Sequence, residues 1–137
     1  MENYFAPVMD KKQIDAISNL GLAHIGDGVY ELMCRSYLCT HGNLSVKGLH
    51  KKSVELVRAP AQAKFAQLLL PHLTEEEQDY FRRGKNAHSH AAPKGATPQE
   101  YARATGLETL FGALFLAGKT QRLNELFSMI MEANDGI

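Results

Sequence analysis

Apolar positions recur with helical spacing over almost the whole chain, and strict alternation of apolar and polar residues, typical of strands, is hard to find. The longest periodic segment runs from about Leu20 to His41. Its predicted apolar side comprises Leu22, Ile25, Val29, Leu32, Met33 and Leu38. Gly42 and Asn43 are expected to end it as a C-terminal cap. The pattern predicts an all-α fold.

Capping residues and prolines bound the other predicted helices. Thr74 to Glu77 and Thr97 to Glu100 are capping boxes, in which the threonine and the glutamate each bond a backbone N–H of the first turn. Pro60 is expected to open one helix, and Pro71 to stop it. The six or seven predicted helices cover about 11–18, 20–41, 45–57, 60–70, 74–85, 97–118 and 120–133. Residues 86–96 lose the apolar period and are predicted to form an exposed loop.

The size and composition fit one ordinary globular domain. The chain has 137 residues, of which 45% are hydrophobic and 22% charged, with no internal repeat or linker, so we expect a single domain over 1–137. No apolar run approaches the roughly 20 residues that span a bilayer, and the start lacks a secretion signal. The sequence therefore predicts a cytoplasmic protein without a membrane partner.

Two acidic residues, Asp27 and Glu108, lie within apolar helical segments. A buried isolated charge is unfavourable, so each must be paired, coordinated or protonated. Gly26 and Gly28 flank Asp27, although glycine costs a helix roughly 1 kcal/mol relative to alanine. Close approach by another backbone or a ligand would explain both glycines.

If the two acidic helices pack together, their carboxylates meet and suit an oxygen-preferring cation such as Mg²⁺. Phosphodiester hydrolysis is the natural chemistry of such a site, because the metal activates water and polarises a phosphoryl oxygen. The alternative is that each carboxylate makes a structural hydrogen bond or ion pair, and spacing alone does not decide between them. Glu31 shares the face of Asp27 and could be an outer acid, but its spacing from Arg35 favours an i, i+4 ion pair.

Several segments together resemble a known family. LGLAHIGDGVYELMCRSYL, with its Gly-Asp step, resembles the signature helix of ribonuclease III catalytic domains, and LETLFGALFLAG resembles the second acidic helix of that family. LHKKSVELVRAPAQAKF, TEEEQDYFRRGKNAHS and the Pro-Lys of AAPKGATPQEY resemble Mini-ribonuclease III, its short form. The motifs occur in the correct order over about residues 14–127.

The resemblance implies an all-helical, homodimeric, Mg²⁺-dependent endoribonuclease that cuts double-stranded RNA and matures 23S ribosomal RNA precursors. Asp27 and Glu108 carry over as the catalytic and metal-binding acids. Leu20, Ala23 and Thr105 stand where full-length enzymes have acidic residues, which leaves the number of bound metals open. Like the short form, the chain is expected to lack a double-stranded-RNA-binding domain, so the catalytic domain must hold RNA itself.

The formal net charge is zero, so RNA binding has to depend on local charge. Residues 80–103 contain five basic residues against one acid, and a second basic cluster surrounds His50. The predicted RNA contacts are Lys51, Lys52, Arg82, Arg83, Lys85, Asn86 and Lys94, and His88 and His90 could add hydrogen bonds. Alternatively, Arg82 and Lys85 complement a helix C-terminus, and the lysine pair belongs to a solvated helix face.

A duplex has two antiparallel strands, so cutting both favours a twofold-symmetric dimer, with the helix at 20–41 as the candidate interface.

An alternative function is a non-catalytic helical RNA-binding or ribosome-assembly module, suggested by the missing acids. A phosphohydrolase of small nucleotides is a third, which the basic loop argues against. An accessory ribosomal protein that presents the RNA is a further candidate partner.

The spacing of Cys34, Cys39, His41 and His50 is not that of a structural zinc module, and Cys34 is expected to be buried.

Overall fold

The computed structural model describes residues 1–87 and 91–135, and over these ranges it contains seven α-helices, one 3-10 turn and no strand. The helices are α1 (Lys11–Asp15), α2 (Asn19–His41), α3 (Val46–Val57), α4 (Ala59–Leu69), α5 (Glu75–Lys85), α6 (Pro98–Leu116) and α7 (Thr120–Asp135). The predicted all-α class is confirmed. None of the described helices combines the length and apolar character needed to cross a bilayer.

Helix ends follow the sequence signals except at three points. Both capping boxes are present, with reciprocal bonds between Thr74 and Glu77 and between Thr97 and Glu100. However, α1 ends at Asp15 instead of Ser18. The chain also continues past α4 in a 3-10 turn that includes Pro71 (Leu70–His72), because proline is compatible with the first turn of a helix.

The predicted end of α2 is confirmed, because Gly42 is its C-terminal cap residue, but the conformation expected of a glycine cap is absent. Gly42 has φ −150° and ψ 171°, which is extended backbone and not the left-handed conformation of a glycine cap. The hydroxyl of Thr40 instead donates to the Ser36 carbonyl at 2.8 Å, and Nδ1 of His41 lies 3.1 Å from the Tyr37 carbonyl. Side chains of the last turn therefore add hydrogen bonds to carbonyls that lie one turn earlier, within the helix.

Helix α6 is the centre of the fold. Most of its residues are buried, and α2, α4 and α5 pack against it. A helix that is apolar on nearly all sides is typical of such a central position. The predicted apolar side of α2 is confirmed except at Leu32, which is 55% exposed. Leu22 is buried, and the other four predicted residues pack against the core while partly buried: Ile25, Val29, Met33 and Leu38. The prediction left out four residues that are buried: Ala23, Gly26, Tyr30 and Cys34. The Tyr30 hydroxyl donates to the Leu56 carbonyl at 2.9 Å and so links α2 to α3.

Helices α2 and α6 touch through their backbones. A Cβ added at Gly26 would overlap the carbonyl oxygen of Glu108, and one added at Gly112 would overlap the carbonyl oxygen of Leu22. Close backbone approach therefore explains Gly26, as predicted. It does not explain Gly28, where an added Cβ would meet nothing within 4 Å in this chain. Because Asp27 follows Gly26, this contact places Asp27 next to Glu108 on the neighbouring helix.

We expect Gly26→Ala to lower the free energy of unfolding by about 1–3 kcal/mol, since the new methyl group must separate two packed backbones. Gly28→Ala is the matched control. It should raise stability by up to about 1 kcal/mol, because the space is open and alanine favours a helix. Urea unfolding followed by circular dichroism, at low protein concentration, measures both. A Gly26→Ala variant as stable as the parent would contradict the close contact.

Candidate active site

The structure brings the two predicted acids together within one chain. Asp27 is exposed on α2, and Glu108 is partly buried on α6. Burial, followed by the charge of the Asp27 carboxylate and a side-chain hydrogen bond to it, raises the pKa of Glu108 from its ordinary value to about 8. The carboxyl groups thus interact directly. Their catalytic and metal-binding roles stay predictions.

Within the described ranges, neither acid has a cationic partner. The ion pairs of the described residues involve neither Asp27 nor Glu108. A partly buried carboxyl group beside a second one is unfavourable for the fold without a cation or a proton. A structural ion pair within the described residues therefore does not explain this arrangement.

A third polar side chain, Gln62 of α4, completes the site. Gln62 is only 2% exposed, and its Nε2 donates to the Val57 carbonyl at 2.7 Å and to Oε2 of Glu108 at 3.4 Å. Nothing in the spacing of Gln62 in the sequence predicted a contact with Glu108. The available signal was a polar residue directly before the apolar stripe of α4, which contains Ala63, Phe65, Ala66 and Leu69.

The donor set fits a hard divalent cation. Two carboxylates and a carboxamide, contributed by three helices, offer the oxygen atoms that Mg²⁺ prefers in proteins. The described ranges contain no group of three or more His, Cys, Asp or Glu side chains that could hold a metal ion. Thr105, one turn before Glu108, donates its hydroxyl to the Tyr101 carbonyl at 3.0 Å. With only two acids, a bound ion would keep most of its coordination positions for water or substrate oxygens.

Two further expectations about α2 are confirmed. Arg35 donates to Glu31 at 3.2 Å, which is the predicted i, i+4 ion pair. Cys34 is fully buried, as expected for a small apolar residue.

The predicted RNA contacts fall into three groups by their surroundings. Lys51, Lys85 and Lys94 are exposed and have no acidic partner among the described residues, and Asn86 is exposed at the end of α5. Two others are exposed but paired within their own helices. These are Lys52 with Glu55 at 3.8 Å, and Arg82 with Asp79 at 3.1 Å. His88 and His90 lie outside the described residues.

Arg83 differs from the other cations because it joins three helices. Its guanidinium donates to Asp15 at 3.0 Å and to Asn19 at 3.1 Å, and it lies over the Tyr80 ring. Hydrogen bonds from Lys11 and Arg83 lower the pKa of Asp15 to about 2. Arg83 therefore stabilises the arrangement of α1, α2 and α5, whatever else it binds.

The sequence of this chain is similar to those of known proteins. Residues 20–119 match the family model of the ribonuclease III domain. A Mini-ribonuclease 3 of Symbiobacterium thermophilum is 49% identical over 107 residues, which cover 78% of this chain and 82% of the relative. A Mini-ribonuclease 3 of a Thermoanaerobacter species is 40% identical over 125 residues, covering 91% and 88%.

A crystal structure of a protein from Fusobacterium nucleatum has the same architecture, with a TM-score of 0.79 at 30% identity, and the match covers 84% of this chain and 93% of that one. The residues matched by the family model include Asp27, Gln62 and Glu108. The chain therefore belongs to the ribonuclease III family and, within it, to the Mini-ribonuclease 3 proteins.

Proposed function

We propose that this endoribonuclease cuts double-stranded RNA in a Mg²⁺-dependent reaction in which Asp27 and Glu108 are the catalytic and metal-holding acids. The observation that carries the proposal is the interacting pair of carboxyl groups, which forms no ion pair with the residues that the structure describes. A divalent cation would neutralise both charges and so relieve the unfavourable burial.

When bound, Mg²⁺ would lower the pKa of a water and polarise the phosphodiester, so few other catalytic groups are needed. The two acids differ in their exposure to solvent. Asp27 faces solvent, where a phosphate of the RNA backbone can reach it, whereas Glu108 is held from within by α6. Backbone contact at Gly26 and Gly112 keeps the two acids at a fixed separation, which is the preorganisation that such a site requires.

The proposed RNA-binding residues are Lys51, Lys52, Arg82, Arg83, Lys85, Asn86 and Lys94. Phosphate contacts dominate nucleic-acid affinity, and double-stranded RNA is recognised mostly by its shape and backbone. Unpaired exposed cations bind phosphate without first leaving an acidic partner. Lys51, Lys85 and Lys94 should therefore contribute more to affinity than Lys52 or Arg82.

We further propose that the substrate is the precursor of 23S ribosomal RNA, processed in the cytoplasm during biogenesis of the large ribosomal subunit. Membership of the family supports this assignment. A ribosomal protein that presents the RNA stays a candidate partner, and a single domain over 1–137 stays a prediction.

The proposed working unit is a homodimer formed through α2. Leu20, His24, Gly28 and Leu32 recur every four residues along this helix, and all four are exposed. A twofold axis near this ridge would bring two copies of Asp27 close to one duplex, one for each strand.

Asp27→Asn and Glu108→Gln should each lower the rate of cutting of a labelled RNA duplex by about 10³-fold or more, and EDTA should abolish cutting. In EDTA and above about pH 8, where the Glu108 carboxyl group loses its proton, Glu108→Gln should be at least as stable as the parent, because it removes one charge from the uncompensated pair. If the carboxylates were only structural, the variants would lose stability and keep activity. Parent protein that binds the duplex without cutting it would favour the non-catalytic module, and cutting that ignores duplex length would favour a nucleotide phosphohydrolase.

Lys85→Ala should weaken duplex binding and reduce the slope of log affinity against log salt by about 1, without changing the melting temperature. Arg83→Ala is the informative comparison, since it should lower the melting temperature by removing the contacts to Asp15, Asn19 and Tyr80. Fluorescence anisotropy over a KCl series, with thermal melts alongside, separates the two effects. An unchanged salt slope in Lys85→Ala would remove this residue from the RNA contacts.

Leu32→Lys should convert a dimer into monomers and abolish cutting of both strands, because it places a charge on the exposed ridge of α2. Leu68→Lys, at an exposed leucine of α4, is the control and should stay dimeric and active. Sedimentation velocity measures the assembly state. A Leu32→Lys monomer that still cuts both strands would refute the dimer model.

A further inference from the structure

Gln62 is an unusual residue for the interior of this fold. Its carboxamide is buried between the end of α3, the start of α4 and the middle of α6. Both hydrogens of Nε2 have acceptors, one in the Val57 carbonyl and one in the Glu108 carboxyl group. The side chain thus connects the acidic site to the α3–α4 corner.

The orientation of the carboxamide is fixed by Val57. If the amide were reversed, its oxygen would lie 2.7 Å from the Val57 carbonyl oxygen, and two acceptors repel at that distance. The nitrogen therefore faces Val57 and Glu108.

This orientation leaves Oε1 as the unpartnered atom, and it is buried without a hydrogen-bond donor among the described residues. Buried carbonyl oxygens in folded proteins are nearly always paired, with protein groups, water or a ligand. A glutamine that served only to link α3 and α4 would need only the hydrogen bond from Nε2 to the Val57 carbonyl. Oε1 and Nε2 belong to the same carboxamide, so the unpartnered oxygen lies on the group whose nitrogen donates to Glu108.

A hydrated cation would supply the missing donor. Mg²⁺ bound by one or two carboxylates keeps several waters, and these waters need acceptors in the protein. Residues that orient the direct ligands of a metal are a regular part of such sites, and their loss typically weakens metal binding.

We propose that Gln62 is a positioning residue of the divalent-cation site: its Nε2 fixes the orientation of the Glu108 carboxylate, and its Oε1 accepts a hydrogen bond from a water bound to the cation. This inference rests on the proposed function, because it assumes that Asp27 and Glu108 hold the ion. It assigns a third helix, α4, to the site.

Gln62→Met tests the proposal, since methionine fills a similar volume without polar hydrogens or a carbonyl. Mn²⁺ binding to the protein without RNA, measured by electron paramagnetic resonance, should weaken about 10–100-fold. Gln78→Met is the matched control, because it removes a glutamine amide that donates to the Leu73 carbonyl at 3.3 Å. It should keep the parent affinity. Unchanged Mn²⁺ affinity in a folded Gln62→Met variant would overturn the proposal.

A second measurement uses the parent protein and does not depend on the folding of any variant. In a Mg²⁺ titration followed by NMR, the side-chain amide signals of Gln62 should move and saturate with the ion, and those of Gln78 should not. Gln62 signals that stay in place while Mg²⁺ binds would overturn the proposal.

The two proposals fail in different ways. Parent protein that binds neither Mn²⁺ nor Mg²⁺ would refute the metal site itself, and with it the role of Gln62. Binding that is lost in Asp27→Asn and Glu108→Gln but kept in Gln62→Met would leave the proposed function intact and refute only the role of Gln62.

Discussion

The backbone contact between α2 and α6 is the constraint on which the rest of this structure depends. Gly26 and Gly112 have no side chains, so the two helices approach until each glycine meets a carbonyl of the other helix. Any larger residue would move the helices apart. The same contact sets the position of Asp27 relative to Glu108, so one packing detail serves both the core and the site.

The neighbourhood of Glu108 is unfavourable for the stability of the protein alone. Burial and the Asp27 carboxylate raise the pKa of Glu108 to about 8, which means that the charged form is unfavourable in the protein alone. The unpaired oxygen of Gln62 adds a second unfavourable group at the same place. Ion pairs elsewhere stabilise the fold. In one of them, Arg122 donates to Glu77 at 2.8 Å. These unsatisfied groups lie together at the site for which we propose a divalent cation, and the cation would explain both.

The cations of the surface are also divided by their contacts. Arg83 is tied to Asp15, Asn19 and Tyr80, so part of the apparent basic cluster belongs to the fold. Lys51, Lys85 and Lys94 have no such ties in the described ranges. The local excess of positive charge in the sequence therefore overstates the charge that is free to bind phosphate, because a sum over residues does not show which of them are paired.

The sequence by itself determined the helical class, most helix ends, both capping boxes and the two acids, because these depend on neighbours within a few residues or on an acid within an apolar segment. It placed Leu32 inside, since the buried side of α2 is decided by Gly26 and Tyr30 against α6, and not by the apolar count alone. It left out Gln62, which is buried by contacts with α3 and α6. Only the tertiary structure decided which carboxyl group is buried, which amide touches it and which of two neighbouring glycines is in contact. The physical reason is that these properties depend on residues distant in sequence, and no periodicity records which distant helix lies opposite a given residue.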